Sequence, residues 1–66
     1  MEVRVNNDII AVIVLRQSRE RVLGGGAPTF VVENEEEQDE LGMLLARITQ
    51  GMVHDLKNGI FILVRH

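Results

Sequence analysis

The sequence predicts an α+β fold: a small four-stranded sheet, mostly antiparallel, in the order β-β-α-β-β. One helix packs on one sheet face, and the second face lies in an oligomer interface. Three observations carry this expectation. Ile9 to Leu15 and Ile60 to Val64 are apolar at every position, the pattern of strands buried on both faces. Only one strong amphipathic helix is legible between them. Asn58-Gly59 is a strong hairpin signal, because a type I′ turn needs positive φ at both central residues. One helix shields one face of a small sheet, so the other must meet a second copy or a partner.

Residues 1–66 read as a single domain. Val3 and Val5 alternate with Glu2 and Arg4, which suggests an N-terminal arm or edge strand over residues 1–8. Ile9 to Leu15 is the central strand. Residues 16–28 form a connecting loop too long for a tight hairpin, with a short helical turn around Ser18 to Leu23. Thr29 to Val32 is the next strand.

The helix begins at Glu35. Asn34 is its N-cap with Glu37 three residues on, a capping-box pair, and acids in the first turn suit the helix dipole. Leu41, Leu44, Leu45 and Ile48 recur at i, i+3, i+4 and i+7, one stripe expected to face the sheet. Met43 points away from it, with Gly42 and Ala46 toward the same flank, a second and weaker apolar patch. Gly51 stands where a glycine cap belongs.

A two-residue Asn58-Gly59 turn sets Lys57 opposite Ile60, Leu56 opposite Phe61, Asp55 opposite Ile62, His54 opposite Leu63 and Val53 opposite Val64. The helix side then carries Met52, His54, Leu56, Phe61 and Leu63. The other side carries Val53, Asp55, Lys57, Ile60, Ile62 and Val64. The interface is therefore expected at Val53, Ile60, Ile62 and Val64, with Met43 as an outlying member.

Composition narrows the function classes. A chain of 66 residues buries only about 60% of its unfolded surface when it folds alone, so a monomer has little stability to spare. There is no Cys, which removes disulfides, thiol chemistry and cysteine zinc sites. Apolar runs are too short for a membrane span, and no signal-type segment opens the chain. A cytoplasmic protein without direct membrane insertion is expected. Net charge is −3 with no Trp or Tyr, which lacks the footprint and the stacking surface of a nucleic-acid binder.

The candidate chemistry is thin. His54-Asp55 resembles an acid/base or metal pair, yet neighbours on a strand project to opposite faces, and His54 reads as a half-buried residue on the helix side. Gly24-Gly25-Gly26 invites a phosphate-loop reading, supported by Arg16, Arg19 and Arg21, but no Gly-Lys-Ser/Thr follows and no spaced third glycine opens a helix. A plain connector, an anion-binding loop and a partner-docking loop all remain open for it. Glu35, Glu36, Glu37, Asp39 and Glu40 suit a helix start without any metal. Ser18 and Thr49 have no nucleophile setting. Catalytic residues, metal ligands and cofactors are expected to be none.

The stretches Gly24-Gly25-Gly26-Ala27-Pro28-x-Phe30, Glu33-Asn34-Glu35-Glu36-Glu37 and Gly51-Met52-Val53-His54-Asp55-Leu56-x-Asn58-Gly59 resemble a family of very short proteins of spore-forming bacteria. These are described as capping-complex subunits for a YIEGIA-type membrane protein. The resemblance covers Ile9 to the end of the sequence, with Val3 to Asp8 as an extension. It implies a place in a complex at a membrane, in sporulation, and transfers no site residues.

The expected function is a non-catalytic, homo-oligomeric assembly subunit whose second sheet face docks its own copy or another protein. The alternative is a small regulatory ligand- or anion-binding module built on Gly24, Gly25, Gly26, Arg16, Arg19 and Arg21. A third reading is a minimal enzyme at a subunit interface around His54 and Asp55.

Overall fold

The computed structural model describes residues 9–24 and 26–65. The arm expected over residues 1–8 and the middle glycine, Gly25, lie outside them. Five elements of the expected order are present: β1 (Ile9–Leu15), β2 (Thr29–Val32), α1 (Glu35–Thr49), β3 (Met52–Asp55) and β4 (Ile60–Val64), with a 3-10 helix over Arg16–Arg21 after β1. They build one mixed four-stranded sheet in the order β2-β1-β4-β3. β1 and β4 are central, as their doubly apolar composition requires.

β2 runs parallel to β1, whereas β1–β4 and β3–β4 are antiparallel. The long 16–28 connection exists because parallel neighbours need a crossover. Its helical segment is Arg16–Arg21, earlier than the expected Ser18 to Leu23. A register shift between Ile9 and Ala11 kinks the start of β1 against β4.

Asn34 caps α1 by accepting a hydrogen bond from the Glu37 N–H at 2.8 Å. The Glu37 carboxylate reaches back to the Glu33 N–H at 2.9 Å, one residue beyond the usual capping-box donor. The helix ends on Gln50, whose φ of 58° is left-handed, and not on Gly51. Gly51 is needed for a different reason: a Cβ there would stand 2.9 Å from the Val64 carbonyl oxygen.

The sheet-facing stripe also differs from the expectation. Gln38 and Gly42 are buried on α1, and Leu41 and Leu45, together with Phe61, pack onto the cluster of Ile13, Leu15 and Val32. Leu44 and Ile48 are 51% and 68% exposed. The helix is rotated because Gly42 lets the backbone approach Phe61, Val53 and Ile13, and because the Gln38 amide anchors the first turns. Gln38 Nε2 donates to the Ile13 and Gly59 carbonyls, each at 3.0 Å.

The hairpin register is corrected by one residue. Asp55 pairs with Phe61, His54 with Ile62, Val53 with Leu63 and Met52 with Val64. The loop holds three residues, Lys57, Asn58 and Gly59, all with positive φ. Leu56 N–H closes it on the Ile60 carbonyl, and the Asp55 carboxylate accepts from the Lys57 N–H at 2.7 Å. A one-residue slip exchanges the faces of a strand. Val53 and Asp55 therefore lie on the helix side, and Met52 and His54 on the other.

Candidate functional site

The face away from α1 carries Val12, Val14, Ile60, Ile62 and Val64, flanked by Val31, Met52 and His54; the cross-strand pairs Val12–Ile62, Val14–Ile60 and Val14–Val31 set their places. Part of this face is closed by the chain itself. Val14 is fully buried and Val64 nearly so. Val22 and Leu23 of the connection line a shallow depression with Ile9, Val12, Ala27 and Thr29, so the crossover returns beside this face. What remains accessible is an apolar strip: Val12, Ile60 and Ile62 half-buried, Ile9 and Met52 about half exposed, with His54 exposed among them.

Of the five interface residues expected, Ile60 and Ile62 sit on this strip and Val64 lies beneath its margin. Val53 does not belong: it packs toward Gly42 under the helix. Met43 is 63% exposed, but on the helix, across the sheet from Ile60 and Ile62. His54 and Asp55 diverge to opposite faces. Among the described residues no three His, Cys, Asp or Glu side chains gather in a way that holds a metal ion.

Of the glycine segment, Gly24 and Gly26 are described. Gly24 and Gly26 have ordinary φ, and a Cβ at either meets nothing within 4 Å. Of the three arginines only Arg21 stands apart. Arg16 is engaged by Glu33, with Nη2 2.6 Å and Nε 2.8 Å from the same carboxylate oxygen. This hydrogen bond, with the opposite charges, holds the Arg16 guanidinium above and the Glu33 carboxyl below their ordinary pKa values. Arg16 and Arg19 share one depression with Gly24, beside Glu20 and Leu23. Arg21 lines a different cleft, of about 560 Å³, beside Glu35, Asp39 and Asp55. Three carboxylates against Arg21 and Lys57 make that cleft a poor anion site.

Two structural residues were missed. Gln38 carries the helix start, and its signal was a polar residue at i−3 and i−7 from Leu41 and Leu45, on the core stripe. Ser18 is buried against Gly59, a long-range contact that nothing local announces.

A mixed sheet with a helix on one face and an accessible apolar strip on the other has the form of an assembly module. The chain belongs to the family of capping complex subunits for YIEGIA, whose model matches residues 6–66. The match starts at Asn6, so Asn6 to Asp8 belong to it and only Val3 to Val5 of the supposed extension lie before it. No curated protein and no solved structure matches the chain. Among the described residues no helix is long and apolar enough to cross a membrane.

Proposed function

We propose that this chain is a non-catalytic, self-associating subunit of a complex formed with a YIEGIA-type membrane protein, to which it presents the strip of Ile9, Val12, Met52, Ile60 and Ile62. The observation that carries this reading is that strip: contiguous apolar side chains left uncovered after the helix has closed the other face. Surfaces of this kind mark protein contacts. The family description names the complex. Fully covering an Ile side chain is worth about 1.5–3 kcal/mol, so Ile60 and Ile62, each already about two-thirds or more buried, together have on the order of 1 kcal/mol still to gain.

The test is co-production with the membrane protein of the complex and capture through it. Met52→Asp and Ile62→Asp should each abolish capture, while circular dichroism shows the fold retained for Met52→Asp, whose side chain is 53% exposed. Undiminished capture of a folded Met52→Asp variant overturns the assignment of this face.

A further inference from the structure

We infer that β2 is a self-pairing edge: two copies join antiparallel through Thr29–Val32, about a two-fold axis at Phe30, so that two four-stranded sheets continue as one. The inference rests on the assembly reading in that copies must meet, and it leaves the strip around Ile62 free for another protein.

The hydrogen-bond pattern comes first. Val12 N–H donates to the Pro28 carbonyl at 2.9 Å, and Val12 stands opposite Thr29 in the parallel ladder. That phase turns the N–H groups of Phe30 and Val32 and the carbonyl of Phe30 toward β1. The N–H and C=O of Thr29 and of Val31 then face outward, and no hydrogen bond among the described residues closes them. An edge whose alternate residues offer a donor and an acceptor each is complementary to its own copy run backwards. Thr29 of one copy exchanges both bonds with Val31 of the other, and the reverse, which makes four main-chain bonds around the axis. Phe30 then opposes Phe30 in the non-hydrogen-bonded pair, where Cα atoms stand about 4.5 Å apart. An isologous contact of this kind closes as a dimer and does not propagate.

The side chains favour this edge over the other one. Thr29-Phe30-Val31-Val32 carries no charge and no proline of its own and pairs with β1 without a bulge, so within the strand only its short length works against edge pairing, although Arg16, Arg19 and Glu20 line a depression beside Thr29 and Val31. β3, the opposite edge, displays His54 and Asp55. Phe30 is 36% exposed and shares the helix side with Val32, which continues into a groove with Leu41 and Leu44. A second Phe30 at the axis extends that apolar surface. The area is small beside the roughly 800 Å² per partner of a standard interface, so association is reversible and trapping is the fitting readout.

The natural chain has no Cys, so single-cysteine variants report without background. Under mild oxidation Phe30→Cys should become a covalent dimer, since about 4.5 Å between Cα atoms lies within disulfide range. Val31→Cys alone should not, being offset from its own copy. Mixing Thr29→Cys with Val31→Cys, which keeps Phe30, should give the mixed dimer at least tenfold faster than either variant alone. If Phe30→Cys crosslinks no faster than Val31→Cys and the mixture shows no preference, the inference is overturned, whether or not the chain dimerises. Capture by the membrane protein is unaffected by that outcome, so the two readings fail separately.

Discussion

Replacing Gly59 with Ala should be among the most damaging single-methyl changes this chain admits. Gly59 has φ of +79°, where an L side chain costs about 1–2 kcal/mol. The added Cβ would stand 2.6 Å from Ser18 Oγ, 3.1 Å from a Leu15 methyl and 3.2 Å from Ser18 Cβ. Ser18 is itself buried, so its hydroxyl has little room to turn away, and overpacking of this kind costs about 1–3 kcal/mol. The Gly59 carbonyl also binds the Leu15 N–H and Gln38 Nε2, so displacement of the loop strains both. A total loss of about 2–5 kcal/mol follows, a large part of the stability of so small a domain. Urea denaturation followed by circular dichroism measures it. The double variant Gly59→Ala, Ser18→Gly should recover the packing part and leave the backbone part, whereas Gly24→Ala, with open space around it, should be neutral. A Gly59→Ala protein within about 0.5 kcal/mol of the natural one, or no recovery on removing the Ser18 side chain, would refute this account of the hairpin.

The rotation of α1 makes Leu45→Ala costly, about 2–3 kcal/mol because Leu45 packs on the core, and Ile48→Ala nearly neutral; thermal melts that reverse this order would return Ile48 to the sheet. The Arg16–Glu33 pair predicts a pH effect. Glu33 has a lowered pKa in the folded state, so its contribution is present above the ordinary carboxylate range and lost as pH falls through the folded value. Both groups are exposed, so the effect is small and screened by salt; Glu33→Gln should flatten that part of the urea midpoint against pH at low salt only.

Element types were legible where local chemistry decides them. Asn34 and Glu37 announce a helix start wherever they occur, and two strands apolar at every position belong in the middle of a sheet. Details set by long-range contact were not. The hairpin register turned on Asp55 bonding the Lys57 N–H, which stretched a two-residue turn to three and carried Val53 to the helix side. The helix phase turned on Gln38, which a hydrophobic count passes over although it binds two carbonyls in the sheet. The stripe Leu41, Leu44, Leu45, Ile48 and the stripe Gln38, Leu41, Gly42, Leu45 share two residues, and hydropathy alone favours the wrong one.

The parallel β1–β2 pair links these details to assembly. An antiparallel neighbour would have needed only a short turn after Leu15, leaving the face of Val12 and Val14 wholly open. The crossover instead brings half-buried Val22 beside that face, with Leu23 89% exposed at its rim, and Val14 is fully buried, so the uncovered strip narrows to the β1–β4–β3 side. It also places β2 at the sheet edge, with its helix-side residues Phe30 and Val32 beside α1. The topology thus separates two surfaces, an apolar strip on one sheet face and a main-chain edge at one end. On the proposed reading, in which the subunit meets both its own copy and another protein, this separation keeps the two contacts from competing for a single surface.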